Sequence, residues 1–122
     1  MQLEAARQKL AVLARAQRSV ELGPMGIAAL VTETCQAYRD LAADPAILIA
    51  LRNEIEVLAR SGPGARRIYA ALLLRQMDLA AGTAELASMS GSKEPCDLAL
   101  GGCTVMSSSV GDAVTHLLGR PT

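Results

Sequence analysis

The chain has no tryptophan and no phenylalanine, and its aromatic residues are Tyr38 and Tyr69. A core must therefore be built from Leu, Ile, Val, Met and Ala. The shortage of rings also removes the stacking platforms on which single-stranded nucleic acids are held. An excess of one charge is missing too: twelve Lys and Arg balance twelve Asp and Glu. Nucleic-acid binders draw affinity from surplus Lys and Arg at phosphates, so no nucleic-acid partner is expected. No apolar run approaches the roughly 18 residues of a membrane span, so no membrane partner is expected either. The opening MQLEAARQKL lacks the apolar centre of a signal peptide. These absences give the expectation of a cytoplasmic chain with reduced thiols.

Chemistry-bearing motifs are also scarce. No Walker motif, no G-x-G-x-x-G after a strand and no H-E-x-x-H is present. Three cysteines (Cys35, Cys96, Cys103) and one histidine (His116) make up the inventory of a Cys3His zinc site. Structural zinc sites favour tighter knuckles, about C-x(2–4)-C, than the Cys96–Cys103 interval. Cys35 falls on an apolar helical stripe, where a buried free thiol is ordinary. His116 falls in the last turn of a short helix, where the dipole favours its charged form. Ser107, Ser108 and Ser109 lack the G-x-S-x-G elbow of a nucleophile. No metal, no cofactor and no catalytic residue is assigned, and the chain is read as a non-enzyme.

What is present is helix. At 122 residues and 51% hydrophobic content the chain fits a single domain, 1–122, around one modest core. Abundant alanine suits close-packed helices. The first helix is expected over about Gln2–Leu22, with Leu3, Ala6, Leu10, Leu13 and Val20 as its stripe. Gly23-Pro24-Met25-Gly26 stops it. A second follows over about Ile27–Ala42. Asp44-Pro45 then reads as an N-cap followed by Pro at the first helical position. It opens a third helix to Arg60, striped by Ile47, Leu48, Leu51, Ile55 and Leu58.

The segment Ser61–Met89 is the centre of the arrangement. Ser-Gly-Pro-Gly is a stop followed by a start, and a fourth helix runs over about Ala65–Met77. Asp78 caps a fifth over about Leu79–Met89. Gly62-Pro63-Gly64 beside Arg66 and Arg67 is a candidate anion site at a helix N-terminus, with an ordinary turn as the favoured reading.

The tail differs in kind. Cys96–Leu100 and Cys103–Met106 are strand candidates around Gly101-Gly102, the spacing of a two-residue hairpin. That register pairs Leu100 with Cys103 and sets Cys96 opposite Ser107, too far for a Cys96–Cys103 disulfide. Ser109-x-x-Asp112 resembles a capping box before a final helix carrying Val110, Val114, Leu117 and Leu118, closed by Gly119 and Pro121. The methionines Met77, Met89 and Met106 are core filler or an adaptable binding surface.

Two segments echo each other. Ile27–Val31 resembles Tyr69–Leu73, and Asp40-Leu41-Ala42-Ala43 matches Asp78-Leu79-Ala80-Ala81. The interval of roughly 40 residues lies near the HEAT/armadillo period. The stretch Gly64–Leu74, the following Asp78 and Gly102-Cys103-Thr104-Val105 resemble small HEAT-like bacterial proteins, over about residues 60–118. Some proteins of this kind are immunity proteins that neutralise a cognate toxin. The resemblance implies a mainly α fold, a HEAT-like bundle of about five or six helices with a short β-hairpin near the C-terminus. It also implies a non-catalytic interaction module whose partner is a protein such as a toxin domain, with a homo-oligomer as a further form. Arg52, Glu56, Arg60, Arg66, Arg67 and Arg75 are the candidate partner contacts, as exposed charges. The alternative is a helical ligand-binding or sensory domain with an apolar cavity between helices.

Overall fold

A computed structural model describes residues 1–23, 31–101 and 104–119, with the backbone alone for 101 and 104–107. The described residues form α1 (Leu3–Ala14), β1 (Ser19–Glu21), α2 (Glu33–Ala42), α3 (Pro45–Ala50) and α4 (Arg52–Ala59). They continue with α5 (Gly64–Met77), α6 (Leu79–Ala87), β2 (Pro95–Gly101), β3 (Thr104–Ser109) and α7 (Val110–Leu118). The protein is mainly helical, with a small three-stranded sheet.

The centre is α5. Residues Ile68 to Leu74 are buried without interruption, as in a helix that is apolar all round and covered on every side. It packs on α1, α2, α3, α4, α6 and α7, and on β1. Each Leu or Ile it removes from water contributes about 1.5–3 kcal/mol, which makes this one helix the main source of cohesion. The turn before it needs glycine at Gly62, whose φ of 82° is left-handed.

Capping residues set the helix starts. Asp44 accepts a hydrogen bond from the Ile47 N–H at 3.3 Å, with Pro45 in the first turn. Asp78 accepts from Ala81 N–H at 3.0 Å, and Ser109 from Asp112 N–H at 3.1 Å. The Asp112 carboxylate also takes the Ser108 hydroxyl at 2.6 Å. Asp40 lies inside α2 and Asp78 caps α6, so the two matched tetrapeptides hold different structural positions.

The boundaries depart from expectation in four places. The first helix stops at Ala14, and Ser19–Glu21, expected as its last turns, forms a strand. Val20 still enters the core, but through a parallel pairing with Leu98. The second helix starts at Glu33, where the Thr32 hydroxyl accepts from Cys35 N–H; residues 27–30 lie outside the described residues. The third divides at Leu51, which sits at φ −98°, ψ 8° between α3 and α4. The apolar stripe crosses this break undisturbed, because Leu51 and Ile55 are both fully buried. The hairpin is shifted by one residue: Cys96 faces Ser108 and Gly101 faces Thr104, with an irregularity between Ala99 and Gly101. An extra residue of this kind displaces the pairing expected of a tight hairpin.

The sheet order is β1-β2-β3, with β1 parallel and β3 antiparallel to β2. The expected hairpin thus gains a third strand from the other end of the chain. Tyr69 secures it. Its hydroxyl accepts from Glu21 N–H at 2.6 Å and donates to the Glu21 carbonyl at 3.3 Å, tying β1 to α5. Burial pushes the phenol well above its ordinary range, so the ring stays a neutral donor and acceptor.

Candidate functional site: a groove between two helices

A concavity on the described surface lies between α1 and α4. Arg7, Leu10, Ala11 and Ala14 form one wall; Glu54, Val57 and Leu58 form the other. Its volume is about 360 Å³, and it is open to solvent. The lining is almost wholly apolar apart from Arg7 and Glu54. Those two pair across the groove at 3.1 Å, and the carboxylate's hydrogen bond raises the pKa of the guanidinium above its ordinary value. Val57 is 64% exposed. The helical period explains the arrangement: Leu51, Ile55 and Ala59 turn inward, which leaves Val57 facing outward from α4.

None of these seven residues belongs to the charged set expected to meet a partner. That set occupies other sides of the fold. Arg52 bonds Glu56 and Asp78, both at 2.9 Å, and Arg60 bonds Glu85 at 2.8 Å. Arg60 also lies 4.0 Å from Glu56. Arg52, Glu56 and Arg60 therefore join a chain of alternating charges that fastens α4 to both ends of α6. Such surface pairs are individually weak and screened by salt; their arrangement fixes a register.

The other three arginines reach backbone. Arg66 donates to the Ser61 carbonyl at 2.8 Å, Arg67 to the Ala59 carbonyl at 3.2 Å and Arg75 to the Leu117 carbonyl at 3.3 Å. The last two meet carbonyls in the closing turns of α4 and α7, which have no partner within their own helix. Arg66, Arg67 and Arg75 are half-buried rather than fully solvated.

The candidate anion site at Gly62-Pro63-Gly64, where an ordinary turn was the favoured reading, is filled from within. The Glu94 carboxylate accepts the Gly64 N–H at 2.6 Å, where helix N–H groups and the helix dipole favour a negative charge. The anion is the protein's own side chain, supplied from 30 residues downstream.

The thiols are arranged for packing. Cys35 and Cys96 are free and buried. Burial pushes Cys96 up to about 11 and raises Cys35 as well, the opposite of the shift that activates a nucleophile. Cys103 and the Met106 and Ser107 side chains lie outside the described residues. His116 is exposed on α7, Met89 is buried and Met77 half-buried. Among the described residues no group of three His, Cys, Asp or Glu is placed to hold a metal. No helix among them is long and apolar enough to cross a membrane.

Three carboxyls sit below their ordinary range. Hydrogen bonds from Lys9 and then Gln36 lower Asp40; the Ala81 N–H and then Arg52 lower Asp78; the Ser108 and Ser109 hydroxyls lower Asp112. In each, the folded value lies below the unfolded one of about 3.9. Their stabilisation is thus complete above that value and is lost as pH falls through the lowered folded values. The urea midpoint should drop between about pH 6 and pH 3. Asp78→Asn, which keeps a capping oxygen but cannot titrate, should shrink the drop. Equal midpoints at the two pH values would contradict this assignment.

Comparison with protein-family models, curated proteins and solved structures finds no significant match for this chain. The functional reading therefore rests on geometry.

Proposed function

We propose that the protein is a non-catalytic protein–protein interaction module that offers the α1–α4 groove to a partner. The observation that carries this reading is the groove itself: a two-walled apolar trough with Val57 exposed at its edge and one ion pair across it. An amphipathic helix or an equivalent helical surface docks into such a trough through apolar anchors, with charges at the rim fixing orientation. The volume falls in the range of small-molecule sites, but those enclose most of their ligand's surface. A trough this open to solvent suits a polypeptide surface better than an enclosed ligand. The ligand-binding alternative therefore stands second.

Neutralisation of a cognate toxin, the role suggested by the resemblance to HEAT-like immunity proteins, is one particular form of this reading. In it, the cytoplasm of a bacterial cell is where the partner is met. The charged chain of Arg52, Glu56 and Arg60 is then a scaffold behind the docking face rather than the face itself.

The test is native mass spectrometry of protein gently purified by a tag from its source cells. The expected result is a second polypeptide chain in stoichiometric ratio, whether foreign or a second copy, lost when Val57→Glu places a charge in the groove. A bound small molecule that survives purification, with no polypeptide, would replace this reading with the ligand-binding one.

A further inference from the structure

We infer that the α1–α4 groove is closed in solution by the same groove of a second copy of this chain, the two related by a twofold axis. This rests on the groove being a protein-docking surface, and it names the occupant. Charge provides the first argument. The rim carries a cation on one wall, Arg7, and an anion on the other, Glu54, at 51% and 43% side-chain exposure. A twofold axis running along the groove sets the Arg7 of each copy against the Glu54 of the other, so the rim is its own complement, as an isologous interface demands. A partner helix of one charge sign would match only one wall and be repelled by the other.

Shape provides the second argument. Ala11 and Ala14 present only methyl groups along the α1 wall, which allows another helix to approach closely. Val57 projects from the α4 wall. Facing two such surfaces about that axis lays the large residue of each copy toward the small residues of the other. The third argument is long-range. With Lys and Arg equal in number to Asp and Glu, no net repulsion opposes the meeting of two copies. The Arg7–Glu54 pair within one copy is exposed enough to exchange partners, so each charge keeps an opposite neighbour in the dimer.

Sedimentation velocity over a concentration series up to about 1 mM, where even weak specific association registers, tests this directly. The native chain is expected to move from one-chain to two-chain mass as concentration rises. Val57→Glu should stay at one-chain mass with an unchanged circular dichroism spectrum. Arg7→Glu alone and Glu54→Arg alone should each weaken association by about tenfold or more, because each self-pairing then sets like charges together. Mixing the two variants in equal amounts should restore two-chain mass, since opposite charges again meet at both ends. A native chain that stays monomeric throughout overturns the inference, as does a dimer that Val57→Glu leaves intact. A foreign polypeptide seated on a monomeric chain from source cells would overturn it too, while leaving the interaction reading in place.

Discussion

Replacing Tyr69 by alanine is expected to cost about 3–5 kcal/mol of stability, the range of a large buried ring removed from a packed interior. Replacing it by phenylalanine should cost about 1–3 kcal/mol. The difference separates two jobs of one side chain. The ring fills the centre of the core, fully buried and 5.8 Å from the ring of Tyr38. The hydroxyl holds the β1 backbone through both polar groups of Glu21. Phenylalanine keeps the first and leaves the Glu21 N–H without its partner. Urea melts of the two variants measure the costs, and hydrogen exchange at the Glu21 amide locates the second. If Tyr69→Phe is as stable as the native chain and the Glu21 amide exchanges no faster, the hydroxyl is not what holds β1 in place.

The second large effect is a reversal of sign at Gly82. Glycine inside a helix ordinarily costs about 1 kcal/mol relative to alanine, so Gly→Ala in α6 would stabilise if propensity decided. Here α6 lies so close to α5 that a Cβ at position 82 would sit 2.3 Å from the Arg75 Cα and N. Those are backbone atoms of the central helix, which cannot swing aside as a side-chain tip can. Overpacking of this kind costs about 1–3 kcal/mol and occasionally more. Gly82→Ala is therefore expected to lower the melting temperature by roughly 5–10 °C, and Gly82→Val by more. A melting temperature raised by Gly82→Ala would mean that the two helices do not approach this closely.

These two sites illustrate what the sequence makes legible. The helical spacing of apolar residues and the caps Asp44, Asp78 and Ser109 are local signals, and local hydrogen bonds satisfy them. Helix starts were therefore readable at Asp44, Asp78 and Ser109, whereas the Thr32 cap was passed over and α2 was expected from Ile27. The centrality of the segment after Ser61 was readable as well, because Ile68–Leu74 is apolar on every side. By contrast, β1 was not. Ser19–Glu21 is a strand only because β2 lies beside it, and Val20 satisfies a helical stripe equally well. The division at Leu51 has no local mark either, since neither proline nor glycine stands there.

The groove was legible in part. Val57 is apolar and lies off the stripe that buries Leu51 and Ile55, and that misfit was the available signal. The choice of exposed charges as contacts failed to anticipate that Arg52 and Arg60 would find carboxylates on α6 and that Arg66, Arg67 and Arg75 would find carbonyls. Charge in a sequence shows that a partner is needed, and the partner can come from the same fold. The Gly64 N-terminus makes the same point: an anion site was the less favoured reading there, beside an ordinary turn, and Glu94 supplies the anion.

The parallel pairing of β1 with β2 also bears on how the protein comes into being. Arg18 and Asp97, which meet through a backbone hydrogen bond of 2.9 Å and a side-chain contact of 3.3 Å, stand 79 positions apart. A ribosome adding about 5–20 residues per second therefore makes β1 several seconds before the strand it needs. During that interval the N-terminal strand has no sheet to join, whatever the helices between have achieved. Loop closure of this length slows folding relative to a bundle of neighbouring helices. The sheet, small as it is, makes completion of the N-terminal segment wait for nearly the whole chain.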